Sequence, residues 1–161
     1  MTNIQSAIEH VRAHKDYVLQ ELKDFVAIPS ISTLSENKPD MQRAAEYVAK
    51  IMRSMGMDSV AIMPTAGHPV VYGERLKAPG KPTVLVYGHY DVQPSDQFNL
   101  QEKDGRLIGW GVVDNKGQNL IHIYSVCKLI KENKLKYNVK FLIEGNEETA
   151  NDDLHDLLIL H

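Results

Sequence analysis

At 161 residues the chain has the length of about one domain, and 43% hydrophobic with 24% charged residues is an ordinary balance for a globular protein with a real core. A formal net charge of −3 gives no bulk electrostatic case for nucleic acid or an anionic membrane surface, and Cys127, the single cysteine, can form no internal disulfide, which fits a reducing, cytoplasmic setting. The opening stretch, MTNIQSAIEHVRAHKDY, is polar and charged with no secretory apolar core, and no apolar run approaches a membrane span.

In chain order, Ile4, Ile8, Val11, Val18, Leu22 and Phe25 recur at helical spacing, so segment 2–28 reads as an amphipathic helix stopped at Pro29. SISTLSENKPD (30–40) reads as a loop. Ala44, Ala45, Val48, Ile51 and Met52 mark a second helix ending at Gly56. SVAIM (59–63) and VVYGERL (70–76) read as strands parted by PTAGHP, and APGKP (78–82) reads as a turn. TVLVYG (83–88) is apolar without alternation, the pattern of a central strand covered on both faces. GRLIG (105–109) is a short strand, and residues 115–133 form a helix carrying Leu120, Ile123, Val126, Cys127 and Ile130 on its apolar side. NVKFLIEG (138–145) is another buried strand, and DDLHDLLIL (152–160) begins a helix. Strands alternating with helices predict a layered α/β fold with a largely parallel sheet.

In such sheets ligands gather at the carboxyl ends of strands. Three predicted strand ends carry metal-type groups: GHYD (88–91), GWGVVDNKG (109–117) and EGNEET (144–149). Each has an ordinary reading by itself. A histidine after a strand is often only hydrogen-bonded, Asp114 heads a helix and suits an N-cap, and adjacent glutamates are usually a solvated pair. The three together are better explained by a site. A carboxylate bridging two divalent ions holds them about 3.5–4 Å apart, and Asp114, between the other clusters in the chain, suits that bridge. His89 offers an imidazole nitrogen to one ion, with Asp91 two residues on as an acceptor orienting its ring. Glu148 would serve the other ion, leaving Glu147 to take a proton from water.

VLVYGHYDVQP, GWGVVDNKGQ and VKFLIEGNEET, in this order, resemble the di-metal amidohydrolases and metallopeptidases, the family of carnosine dipeptidases, aminoacylase, glutamate carboxypeptidase and succinyl-diaminopimelate desuccinylase. The GHYDVQP form is most similar to the dipeptidase branch. The resemblance covers nearly the whole chain. It implies a three-layer zinc-peptidase catalytic domain, and hydrolysis of a peptide or amide bond next to a free carboxylate by metal-activated water. Two divalent ions are implied, zinc first, with manganese or cobalt as alternatives. The resemblance also implies the residue roles: His89, Asp114 and Glu148 as metal ligands, with Asp114 bridging, Asp91 as the partner of the His89 ring and Glu147 as general base. The implied substrate is a dipeptide or N-acyl amino acid.

The chain also departs from the family. Trp110 stands where arginine is usual, Asn115 where aspartate is common, Asn146 where an acidic or small polar residue is general, and Ala150-Asn151 where Gly-Ser is typical. The loop after Pro94 is short. Family members run to more than twice this length, adding a further acidic ligand, a late histidine and a small dimerisation domain. Residues 1–161 are therefore expected to be the N-terminal portion of the catalytic domain, truncated at its C-terminal side, with an unpaired sheet edge, an exposed apolar patch and a tendency to self-associate. Asp152, Asp153, His155, Asp156 and His161 are not expected to replace the missing ligands. The alternative function is an inactive relative that binds metal or a partner. A nucleotide-binding reading fails, because the Gly-x-Gly at 109–111 has no third glycine at the required spacing.

Overall fold

The computed structural model describes residues 3–149 and 152–160. Helix α1 (Asn3–Val26) ends just before Pro29, whose ring carries no amide hydrogen and disfavours helical backbone at Ile28. Helix α2 (Lys38–Ser54) starts with a proline in its first turn and buries Met41, Ala44, Ala45, Val48, Ala49, Ile51 and Met52. The chain turns away from it at Gly56, whose φ of +90° lies in the left-handed region that glycine enters without steric cost. Strands β1 (Ser59–Met63), β2 (Val70–Arg75) and β3 (Thr83–His89) follow. A small hairpin, β4 (Gln101–Lys103) with β5 (Arg106–Ile108), precedes α3 (Lys116–Lys131), β6 (Asn138–Glu144) and α4 (Asp153–Leu160).

The main sheet has the order β1-β2-β6-β3. It is mixed rather than largely parallel. β1 pairs with β2, and β2 with β6, antiparallel; β3 runs parallel to β6. The reason is connection length. The six residues 64–69 between β1 and β2 are too few for a crossover, so these strands fold back on each other. The route from β3 to β6 passes through α3, the kind of crossover a parallel pair requires.

Sequence and structure also differ at β3. It is an edge strand, not a central one, and Val84, Leu85 and Tyr87 are 46%, 58% and 50% exposed. Its unbroken apolar run reports how apolar the strand is, not whether both faces are covered. An open sheet edge and exposed apolar side chains coincide here. Helix layers flank the sheet. Helices α1, α2 and α3 share the main core with Val71, Val139, Phe141 and Ile143, while α4 sets Leu157 against Val70 and Leu142 on the opposite face. No described helix is long and apolar enough to cross a membrane.

Cys127 lies inside the main core, 1% exposed, and burial pushes its thiol up to about 12. The thiolate is the reactive form, so an aromatic disulfide reagent is expected to react roughly 100-fold more slowly with the native chain than with the chain in denaturant. Equal rates would show that α3 does not pack against the sheet as described.

Candidate metal centre

The parallel pairing of β3 with β6 builds the site. His89 and Glu144 are register partners, so both strands deliver their following residues to the same end of the sheet. Gly88 lets the strand run close beneath Asn119 and Asn115, whose side-chain oxygens a Cβ at that position would have to displace. The third contributor is the segment entering α3.

His89 is 5% exposed, and its two ring nitrogens face different carboxylates. Nε2 lies 3.0 Å from Asp114 Oδ1 and 4.0 Å from Glu147 Oε2. Nδ1 lies 3.1 Å from the Asp91 carbonyl and 3.3 Å from Asp91 Oδ1. One ligand atom from each of His89, Asp114 and Glu148 can be chosen so that all lie within 4.8 Å of one another, the one such group among the described residues. One imidazole and two carboxylates make a donor set that suits a divalent cation, and a ring anchored through its other nitrogen is how proteins present such a ligand. Burial pulls the His89 ring toward neutrality, but Asp91, Glu147 and Asp114 outweigh it and raise the imidazole to about 9. A divalent cation held here would bind the deprotonated ring nitrogen.

Asp91 is fully buried and joins the contributing segments. Its Oδ2 accepts from Ser32 Oγ at 2.7 Å and from the Glu148 backbone N–H at 3.0 Å. Asn119 Nδ2 donates to the His89 carbonyl at 2.7 Å, fixing the strand end. Lys116 is also fully buried, and its ammonium donates to the Phe25 and Ile28 carbonyls at 3.0 and 2.6 Å. It thereby ties the end of α1 to the start of α3, beside Asp114. Burial pulls this lysine down to about 7. Tyr87 Oη donates to Glu144 Oε1 at 2.5 Å, and burial raises the Glu144 carboxyl. Gln93 Nε2 donates to Glu148 Oε2 at 2.6 Å.

All five residues singled out from the sequence are thus brought together. The route taken by Asp114 differs from expectation. The strand before it, β5, pairs only with β4 and lies outside the main sheet, so Asp114 reaches the site from the turn leading into α3 rather than from an end of that sheet. It is not the helix cap either: Asn115 holds that position, and the Asp114–Asn115 peptide bond is cis. Asn146 is a structural residue, donating to the His68 carbonyl at 3.2 Å and to Asp153 Oδ2 at 3.1 Å. Ala150, Asn151 and His161 lie outside the described residues. The sequence reading passed over Ser32, Lys116, Asn119 and Gln93 as supports. Ser32 lies outside the three motifs, and the contacts of Ser32 and Lys116 leave no local signal, since their partners lie 59 to 91 residues away. Gln93, two places after Asp91 in GHYDVQP, and Lys116, two places after Asp114 in GWGVVDNKG, both lie inside the motifs.

Comparison with known proteins gives a consistent picture. Residues 85–156 match the model of peptidase family M20/M25/M40. The chain is 32% identical to the Beta-Ala-His dipeptidase of Rattus norvegicus, over 96% of this chain and 36% of that protein. It is 31% identical to the Cys-Gly metallodipeptidase dug1 of Schizosaccharomyces pombe, over 97% of this chain and 37% of that one. The crystal structure of human carnosine dipeptidase 1 superposes with a TM-score of 0.88 at 31% identity, covering 98% of this chain and 38% of the other. The chain therefore spans little more than a third of the relatives it matches. The match over 85–156 contains His89, Asp114, Glu147 and Glu148, and nearly the whole chain is similar to dipeptidases of this kind.

Proposed function

We propose that this chain carries the water-activating half of a metal-dependent dipeptidase site, acting on a peptide or amide bond next to a free carboxylate. The observation that supports it most is the convergence of His89, Asp114 and Glu148, with Asp91 behind the ring and Glu147 4.0 Å from its Nε2. In this reading His89, Asp114 and Glu148 hold divalent ions, zinc first, with Asp114 as the bridge between two of them. Bound ions supply Lewis acidity, polarising the scissile carbonyl and lowering the pKa of water. Glu147, with its carboxylate about half exposed beside these groups, accepts the proton from water and returns it to the leaving amine. Asp91 holds the imidazole in place. The substrate class, a dipeptide or N-acyl amino acid, follows the names of the relatives. Residues 1–161 form the N-terminal portion of the catalytic domain, and a cytoplasmic location belongs to the same proposal.

A second reading, a non-catalytic metal-binding unit, is favoured by one observation: the described residues bring together only three ligand groups. Elemental analysis and dipeptide hydrolysis with added zinc or manganese separate the two. Bound metal with turnover supports the peptidase, bound metal without turnover supports the second reading, and absence of metal removes both. In Asp114→Ala the metal content is expected to fall. An unchanged stoichiometry there would remove the bridging assignment.

A further inference from the structure

Trp110 stood out in the sequence as a departure with no evident role, and its surroundings supply one. The indole Nε1–H donates to the Gln93 backbone carbonyl at 2.8 Å. The Gln93 side-chain amide in turn donates to Glu148 Oε2 at 2.6 Å and reaches the Glu148 carbonyl at 3.4 Å. From the other side the Glu148 N–H is held by Asp91. Glu148 is thus gripped at its amide, its carbonyl and one carboxylate oxygen, while Oε1 carries no hydrogen bond among the described residues. A carboxylate held by one oxygen presents the other in a defined direction, as ligating carboxylates do when outer partners orient them. The tryptophan itself is 40% exposed, so its contribution to the core is partial. The loop around it is held separately, by the Trp110 backbone N–H donating to the Gln97 carbonyl at 3.1 Å.

We infer that Trp110 and Gln93 are positioning residues that act in series: the indole fixes the Gln93 main chain, and the Gln93 amide aims the Glu148 carboxylate at the ligand cluster. This rests on the metal-site reading above, and the test separates the two. Zinc affinity is measured by competition with a chromogenic chelator on the full 161-residue chain, alongside the melting temperature without metal. Gln93→Ala is expected to weaken zinc binding about 10-fold, the low end for loss of an outer partner. Trp110→Phe keeps the ring and removes the N–H, and is expected to weaken it about 5-fold. The double variant is expected to bind as weakly as Gln93→Ala alone, because the indole acts only through the residue already removed. Melting temperatures of the variants should stay within about 2 °C of the parent. Additive losses in the double variant, or an unchanged affinity in Trp110→Phe, would overturn the relay and leave the metal site standing. Failure of the unaltered chain to bind zinc would remove the metal site and the relay with it.

Discussion

Asp91→Ala is expected to weaken zinc binding by about 10- to 100-fold and to lower the stability of the metal-free chain by about 2–4 kcal/mol. Both effects follow from its position. Asp91 is fully buried, faces the His89 ring at 3.3 Å, and accepts from Ser32 and from the Glu148 N–H. Its removal leaves a buried imidazole without its counter-charge, and a hydroxyl and an amide hydrogen without acceptors, each of which costs the desolvation of an unpaired group. The affinity loss comes from the ring and from Glu148 together, since both lose an anchor. Asp114 provides the contrast. Its side chain is 73% exposed, so Asp114→Ala should move stability by no more than about 0.5 kcal/mol while reducing bound metal. Chemical denaturation of the metal-free variants, paired with zinc competition, reads both quantities. Equal stability losses for Asp91→Ala and Asp114→Ala would show that Asp91 is not the buried junction of the site.

Phe141→Ala is expected to cost about 3–5 kcal/mol, lowering the melting temperature by roughly 6–20 °C. Phe141 sits in β6, between β2 and β3, where its backbone is in register with Gly73 and Val86, and it is 1% exposed in the main core. Truncating the ring removes contacts that the sheet and helices cannot fully close over. The proposed metal ligands lie at or beyond the end of this strand, so at low temperature the folded variant should keep its zinc affinity within about 3-fold. A loss below about 1 kcal/mol would mean that β6 is not the centre of the core. Together the two substitutions separate what holds the fold from what shapes the site.

Much of this molecule is legible in its residues. The helices expected at 2–28 and 115–133 and the strands expected at 59–63, 70–76 and 138–145 appear within a residue or two of those bounds, whereas α2 starts at Lys38, inside the segment 30–40 expected to be a loop. These features come from local spacing, and local spacing is what period and punctuation report. The ligand-type residues were legible for a related reason: His89, Asp91, Asp114, Glu147 and Glu148 are concentrated in short motifs beside glycines. The hairpin strand β4 was not foreseen, since Gln101–Lys103 is wholly polar and exposed.

The sequence by itself determined most of the helices and strands, and it picked out His89, Asp91, Asp114, Glu147 and Glu148 as the candidate site residues. Only the tertiary structure decided that the sheet is mixed, that β3 lies at its edge, and that Asp114 arrives from the turn leading into a helix. It also assigned the supports: Ser32 on Asp91, Lys116 on the end of α1, and Gln93 on Glu148. The physical reason is the same in each case. An apolar run reports how much of a strand is suited to burial, not which strand lies beside it. A buried hydrogen bond between residues 59 or 91 positions apart leaves no mark on the spacing of either partner.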